Sequence, residues 1–195
     1  MTDLPARMRV RDVELMRALA HPLRAELLNY LMSVGPRTAS ECATAVGSTA
    51  SNCSWHLRQL ASWGLVERAD GDNARDKPWR ATQVGLDLGE FSTDPVTQAA
   101  QLAAWGANTA NDQVLTQRFV DSIDLIEPEW QQVSGISTYA LRISATELAE
   151  LTAAIDALIR PYVATIRTDA PPDARPVHTS VRAFPRIEAD GKPSS

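Results

Sequence analysis

The sequence predicts an α+β fold that is mainly helical, and three observations support this class. Apolar residues recur with a helical period through much of the first 63 residues and again in stretches between residues 94 and 166. Turn-forming residues such as Gly35, Pro36 and Gly47 separate the helical stretches. Alternating apolar residues, which are typical of strands, occur only in short runs. We therefore expect helices with small sheets.

Four helices are predicted at the N-terminal end, over residues 12–20, 23–34, 38–46 and 49–63. Pro22 precedes the second helix and is tolerated there, because a first-turn residue has no intrahelical use for its N–H. Thr38 and Glu41 have the spacing of a capping box, which predicts the start of the short third helix. Gly47 is the residue type expected at a left-handed helix end, so the third helix is predicted to end there.

A hairpin is predicted directly after the fourth helix. Two strand-like runs, residues 65–69 and 77–82, are joined by a loop that is rich in Asp, Asn and Gly. Beyond it we expect a helix over residues 94–126, a strand over 135–144 and a helix over 145–166 that begins at a capping box of Ser144 and Glu147. A last strand over residues 177–184 and a disordered tail from about residue 188 are expected to follow. The predicted domains are 1–88 and 89–195, the second being a C-terminal helical and small-sheet region.

The helix over residues 49–63 has an apolar and a polar side. Its apolar side comprises Ala50, Cys53, Leu57, Leu60 and Ala61. The polar side comprises Ser51, Asn52, Trp55, His56, Gln59 and Ser62, with Arg58 at its flank. It carries no carboxylate, which a phosphate backbone would repel. A short helix, a turn and a second helix in this order predict a helix-turn-helix, whose second helix can enter the DNA major groove.

The hairpin then fits as a wing beside this predicted recognition helix. We expect base contacts from five residues, Thr49, Ser51, Asn52, Trp55 and Gln59. Contacts to the DNA backbone are expected from Ser54, His56 and Arg58, and electrostatic contacts from Arg75 and Lys77 near the tip of the wing. The neighbouring Asp70, Asp72 and Asp76 weaken the contribution of the wing.

Residues 12–82 resemble the winged helix-turn-helix domain of ArsR-type bacterial transcriptional regulators. The resemblance rests on ALAHPLR at residues 18–24, on the S-x-H-L of residues 54–57 and on the L-x-x-x-G-L-V of residues 60–66. It implies a homodimeric DNA-binding repressor or activator in which Ser54 and His56 contact DNA, with Trp55 where the family often has Arg. The close cysteine pairs and Asp/His pairs of the metal-sensing members have no counterpart here, and the long C-terminal part looks like that of enlarged ArsR-like proteins in which it dimerises.

Small apolar residues along the helix over residues 94–126 alternate in steps of four and three, which forms a coiled-coil-like seam of Val96, Ala100, Ala103, Ala107, Ala110 and Val114. The seam packs either within the chain or across a two-fold axis. We favour dimerisation, because a dimer must hold its two recognition helices about 34 Å apart. Four aromatic residues of this region either fill a core or line a pocket for a small-molecule effector, namely Trp105, Trp130, Tyr139 and Tyr162. Both alternatives stay open at this point, and so does the existence of an effector.

Charge and composition limit the remaining function classes. Residues 1–82 carry 11 Lys and Arg against 9 Asp and Glu, whereas residues 83–195 carry 8 against 15, so a basic N-terminal half is compatible with a polyanionic partner. No apolar run approaches the roughly 20 residues that span a bilayer, and the N-terminus lacks a secretion signal. Cys42 and Cys53 are the only cysteines, too few for a set of disulfides, which favours a reducing cytoplasm. A metal on Cys42, Cys53 and His56 is disfavoured, because no fourth protein ligand is in view.

The sequence therefore predicts a cytoplasmic, homodimeric, sequence-specific DNA-binding transcriptional regulator that needs no cofactor, metal or membrane. No phosphate-cradling glycine loop, G-x-S-x-G or H-E-x-x-H pattern is present, so no catalytic residue is assigned and the chain is not expected to be an enzyme. The alternative is a protein-interaction module on the same winged-helix scaffold that does not bind DNA, which the acidic total charge of −5 favours. An enzyme in the C-terminal half is a third hypothesis.

Overall fold

The computed structural model describes residues 5–70 and 77–194 and confirms a mainly helical α+β fold. Its helices are α1 (Val13–Leu19), α2 (Pro22–Val34), α3 (Ala39–Val46), α4 (Ala50–Ser62), α5 (Pro95–Asp121), α6 (Pro128–Val133) and α7 (Ala145–Ile159). Its strands are β1 (Met8–Arg9), β2 (Val66–Arg68), β3 (Trp79–Ala81) and β4 (Leu86–Asp87). Among the described residues, no helix has both the length and the hydropathy needed to cross a bilayer.

The predicted helix ends in the N-terminal half are confirmed, because short polar side chains satisfy the free backbone groups there. The Thr38 hydroxyl accepts from the backbone N–H of Glu41, and the Glu41 carboxylate accepts from the backbone N–H of Thr38 at 2.7 Å. Gly47 ends α3 in the left-handed region at φ 64°, where its N–H donates to the carbonyl of Ala43. These two devices set the length of α3 and the turn that leads to α4.

One apolar core joins the first five helices to the small sheets. It is built from fully buried residues such as Leu27, Leu28 and Leu31 of α2 and Leu57 and Leu60 of α4, and it extends to Val10, Leu15, Met16, Leu65, Val66, Trp79, Ala100 and Ala104. The helix α5 packs on α1 and α2, while α4 packs on α2 and α3. The helix-turn-helix therefore rests on a continuous core, which holds α4 by one side only.

The predicted hairpin is confirmed as an antiparallel pair in which Val66 lies opposite Ala81. Residue Arg37, ahead of α3, adds a bridge to Trp79, with a distance of 2.7 Å from the Trp79 N to the Arg37 O. A second, parallel pair joins β1 to β4 and was not predicted, because two-residue strands carry no detectable alternation. The predicted turn between the wing strands falls largely on residues 71–76, which lie outside the described residues.

The face that α5 buries differs from the predicted seam. Ala100 and Ala107 of that seam are buried, but Val96, Ala103, Ala110 and Val114 are exposed, and the helix instead buries Gln101, Ala104 and Asn111. The buried Gln101 is satisfied because its amide donates to the carbonyls of Leu88 and Glu90 and its Oε1 accepts from the N–H of Ser92. Hydrogen bonds to the preceding loop thus favour a face that contains a polar residue.

The C-terminal region departs further from the prediction. The strands predicted at 135–144 and 177–184 are wrong, because neither segment is assigned to a strand or forms a backbone ladder within this chain. The helix α7 does form behind the predicted capping box of Ser144 and Glu147, but none of its residues is buried, so it is not the second core layer expected. A short helix, α6, was missed.

Candidate nucleic-acid interface

The helix α4 is positioned by its buried stripe and by its N-terminal cap. Cys53, Leu57 and Leu60 are fully buried against the core, in the i, i+4, i+7 positions of one helix face. At its start, the Thr49 hydroxyl accepts from the backbone N–H of Asn52 at 3.2 Å. The predicted base contact of Thr49 would therefore share its hydroxyl with the cap. These contacts orient the opposite side of α4 toward solvent.

The exposed side of α4 carries hydrogen-bonding groups and no carboxylate, as predicted. Ser51, Asn52, Trp55, Arg58 and Ser62 are exposed, with Trp55 at 49%. The predicted contact residues Ser54 and Gln59 are half-buried at the margins of this side. We call the five exposed residues the α4 polar face.

Two hydrogen bonds preorganise the long side chains of the α4 polar face. The Asn52 amide nitrogen donates to the hydroxyl of Ser48 at 3.1 Å, and the Arg58 guanidinium donates to the hydroxyl of Ser54 at 3.1 Å. Each bond joins residues four apart in sequence, so it reduces the number of rotamers that the side chain must give up on binding. An amide such as that of Asn52 is of the type that reads adenine edges, and a guanidinium such as that of Arg58 pairs well with a phosphate.

The placement of His56 on the polar side is wrong, because its side chain is buried, with 4% exposed. Its ring centroid lies 4.5 Å from that of His21, which precedes α2, and Trp55 packs edge-on against it at 4.7 Å. Its position three residues after Cys53 and four before Leu60 is itself a helical core spacing, which the sequence reasoning overlooked. A contact between His56 and a phosphate finds no support in this geometry.

The buried His56 is held as a neutral ring. Burial is the main cause that lowers the pKa of His56, and the neighbouring His21 and Arg24 lower the pKa further. The Nδ1 atom of His56 is buried without a hydrogen-bond partner among the described residues. The ring therefore belongs to the contact between α2 and α4, and it supports α4 on the side opposite the α4 polar face.

The base of the wing places a second group of cations beside the α4 polar face. The Arg68 guanidinium lies 3.8 Å above the centroid of the Trp79 ring and donates to the backbone carbonyl of Lys77. Burial, and after it the nearby charge of Arg58, lower the pKa of Arg68, which places the two guanidinium groups within electrostatic reach. Among the described residues neither guanidinium pairs with a carboxylate, and two neighbouring cations of this kind form a natural site for an anion such as a phosphate.

Other wing residues contribute unequally. The Arg80 guanidinium pairs with Glu67 at 2.6 Å, so its charge is largely neutralised. The predicted contact residue Lys77 is exposed, whereas Arg75 lies outside the described residues. Sequence reasoning assigned Arg68 no contact and passed over Arg37, which the bridge to Trp79 holds at the base of the wing. Their positions depend on strand pairing, which gives no signal in a linear motif.

The two cysteines are buried in the helix-turn-helix and are not paired with each other. Burial is the main cause that raises the pKa of Cys42 to about 11, with the neighbouring Cys53 adding to it, and burial also raises the pKa of Cys53. Both thiols are therefore protonated at neutral pH and pack as small apolar groups. Among the described residues, no three His, Cys, Asp or Glu side chains converge as metal ligands.

The four aromatic residues that the sequence offered as core or pocket residues lie in separate contacts. Trp105 packs on Phe91 with ring centroids 5.0 Å apart, Trp130 lies beneath Arg175 and Tyr162 beneath Arg167. Tyr139 is 79% exposed. A shallow apolar groove of about 450 Å³ lies elsewhere, between α1 and α5, and is lined by Arg17, Pro95, Val96, Ala99, Ala100 and Ala103. The aromatic residues therefore do not form a common ligand pocket.

Comparison with known proteins places the helix-turn-helix in the expected part of the chain. Residues 19–69 match a family model described as a helix-turn-helix domain. This span contains α2, α3 and α4, which confirms that the chain contains such a domain. No curated protein sequence matches the chain.

Several solved structures are similar to the chain at low sequence identity. A MarR family transcription regulator is 18% identical with a TM-score of 0.32, covering 81% of this chain and 82% of that one. A MarR family protein of Mycobacterium tuberculosis is 14% identical with a TM-score of 0.29, covering 73% and 84%. A mutant of ZitR from Lactococcus lactis is 16% identical with a TM-score of 0.30, covering 78% and 82%. At these scores the similarities carry no argument about function.

Proposed function

We propose that this chain is a sequence-specific, DNA-binding transcriptional regulator of the ArsR type that acts as a homodimer in the cytoplasm. The observation that carries the proposal is the α4 polar face, which is exposed, free of carboxylates and held on a helix-turn-helix from behind. Asn52, whose amide is exposed, would read a base edge, while Arg58, whose charge acts on Arg68 at the wing, would contact the DNA backbone. The activity is binding rather than catalysis, and no effector is assigned.

A homodimer is part of the proposal because a single α4 reads only one half-site. Four apolar residues of the predicted seam, Val96, Ala103, Ala110 and Val114, are exposed on α5 while other residues of the helix pack on the core. A second copy of α5 laid along this face would bury them and relate the two α4 helices by a two-fold axis. The two half-sites would then lie about one turn of DNA apart, or a multiple of that spacing.

The test begins with selection of preferred sequences from a pool of random duplexes, followed by gel-shift titration of the selected duplex and of a random duplex. We expect the affinity for both duplexes to fall steeply as the salt concentration rises, because cations that bind phosphates release counterions. Failure to bind any duplex at low salt would reject the proposal.

Two variants separate base reading from backbone contact. Arg58→Ala is expected to weaken binding to the selected and the random duplex alike, because its guanidinium is placed for phosphate. Asn52→Ala is expected to weaken binding to the selected duplex by about 1–3 kcal/mol and to leave the random duplex almost unchanged. Gln59→Ala, at the half-buried margin, serves as a second base-reading variant. Equal losses on both duplexes for Asn52→Ala would contradict the base-reading role.

The second candidate function is a protein-interaction module that does not bind DNA. It is favoured by Trp55, whose ring is 49% exposed at the centre of the α4 polar face, because exposed Trp residues are common anchors of protein interfaces. The two functions respond differently to Trp55→Ala and to salt. An interaction module shows no duplex affinity at low salt, whereas a regulator that uses Trp55 against a sugar or a thymine methyl loses part of its duplex affinity.

A further inference from the structure

The segment from residue 177 to 184, which we call the C-terminal segment, is held against α5 by one carboxylate. Asp112 of α5 accepts a hydrogen bond from the Arg182 guanidinium at 2.6 Å and from the Ser180 hydroxyl at 2.8 Å, and its other oxygen lies 3.4 Å from His178 Nε2. These three residues are spaced two apart, which is the side-chain period of an extended chain. The C-terminal segment is therefore extended, with its even-numbered polar side chains turned toward α5.

The apolar face and the backbone groups of the C-terminal segment have no partner within the described chain. Val177 and Val181, which alternate with the three anchored residues, are 63% and 50% exposed. Among the described residues, no backbone N–H or carbonyl of the C-terminal segment takes part in a hydrogen bond, and the same holds for residues 136–143. An extended chain with a free backbone edge and an apolar face is a template for pairing with another strand.

The apolar surface around these two segments has the size of a dimer interface. Between residues 136 and 187, eleven large apolar side chains are substantially exposed, among them Tyr139, Leu158 and Phe184. If an aromatic side chain presents about 150–250 Å² and an aliphatic one roughly 60–120 Å², their exposed fractions amount to about 600–1,100 Å². A standard interface buries about 800 Å² on each partner.

Charge on the C-terminal segment allows a second copy of the same segment to approach. Its one cation is Arg182, and both Arg182 and the His178 ring face Asp112 within their own chain, so two copies would meet without facing unpaired like charges. A two-fold axis perpendicular to a strand pairs that strand with its own copy in antiparallel orientation. The partner that fits this edge is therefore the same segment of another copy.

We propose that residues 177–184 of two copies of this chain pair as antiparallel strands across a two-fold axis, which forms an intermolecular sheet and buries Val177 and Val181. Opposite residues of an antiparallel pair point to the same side of the sheet, so odd-numbered residues of one copy face odd-numbered residues of the other. The inference deepens the homodimer part of the proposed function, and it does not depend on DNA binding. It also explains why a segment with a strand pattern forms no strand within one chain.

The first test is the oligomeric state of the full chain, measured by sedimentation velocity at micromolar concentration. We expect a dimer whose dissociation constant rises at least tenfold in Val181→Asp, because two carboxylates would meet in an apolar sheet face. Val133→Asp is the matched control, since Val133 is also exposed but lies in α6, outside the paired segment. Circular dichroism monitors the helical fold of each variant, to which Val181 contributes no core contact.

The second test is cross-linking, which does not require the dimer to be weakened. A bis-maleimide that spans both a direct and a diagonal cross-strand pair is expected to link two copies of Val181→Cys and not two copies of Val133→Cys. The native Cys42 and Cys53 are buried and do not compete. A monomeric wild-type chain overturns the inference. A dimer that Val181→Asp leaves intact and that Val181→Cys does not cross-link also overturns it, while leaving a dimer through α5. A cross-linked dimer that binds no duplex rejects the proposed function and supports the pairing.

Discussion

Replacement of Gly47 by Ala tests whether the turn between α3 and α4 depends on backbone conformation alone. Gly47 has φ 64°, and a Cβ placed on it meets no heavy atom within 4 Å. Its N–H still donates to the carbonyl of Ala43 after the replacement. Steric contacts and lost hydrogen bonds therefore contribute nothing, and the whole effect is the cost of a left-handed conformation for an L-residue, about 1–2 kcal/mol.

The assay is urea unfolding followed by circular dichroism, supported by thermal melting. For a chain of this length, a loss of about 1–2 kcal/mol lowers the melting temperature by roughly 2–8 °C. Gly106→Ala is the matched control, because Gly106 lies inside α5 and its Cβ would also meet no heavy atom within 4 Å. There the same chemical change is expected to stabilise by about 0.5–1 kcal/mol. If Gly47→Ala leaves the free energy of unfolding unchanged, or if both variants shift it in the same direction, the reasoning is refuted.

Three further predictions concern the helix-turn-helix. Thr38→Ala removes the hydroxyl that caps α3 and is expected to lower the free energy of unfolding by about 1 kcal/mol; an unchanged urea midpoint would contradict the cap. Leu57→Ala empties a fully buried position on α4 and is expected to lower it by about 2–5 kcal/mol; a loss below that of Thr38→Ala would place Leu57 outside the core. Burial and the nearby His21 lower the pKa of His56 in the folded chain, so the unfolded chain binds a proton on this residue more readily. The stability that the neutral His56 contributes is therefore full above about pH 6.5. It is lost as the pH falls through the lowered pKa of the folded chain. His56→Gln is therefore expected to flatten the loss of stability between pH 7 and 5, and parallel stability curves for the variant and wild type would exclude His56 as its source.

The N-terminal half was predictable to within a few residues at each element, and the reasons are local. A capping box at Thr38 and a glycine at residue 47 act on backbone groups within one helical turn, so residue type and spacing are sufficient to place them. The exposure of Asn52 and Arg58 followed from the helical period of the apolar residues around them. His56 was misplaced because its polar type outweighed a spacing that indicated burial.

The C-terminal half was less predictable because its patterns depend on partners. Residues 136–143 and 177–184 alternate as strands do, yet a strand exists only when a second backbone supplies the ladder of hydrogen bonds. On α5, the apolar period predicted a helix correctly, whereas the buried face depended on where the amide of Gln101 found its carbonyls. Neither outcome is contained in the spacing of residues along one element.

The amino-acid sequence by itself therefore determined the N-terminal helices, their ends and the carboxylate-free side of α4, because each depends on groups within a few residues of one another. The packed molecule decided that His56 supports α4 from the buried side, that the charge of Arg58 acts on Arg68, and that Asp112 contacts three side chains from residues 178–182. Those contacts join residues that are distant in the chain, and their energies arise only when folding removes the groups from water and brings them within a few ångströms of each other.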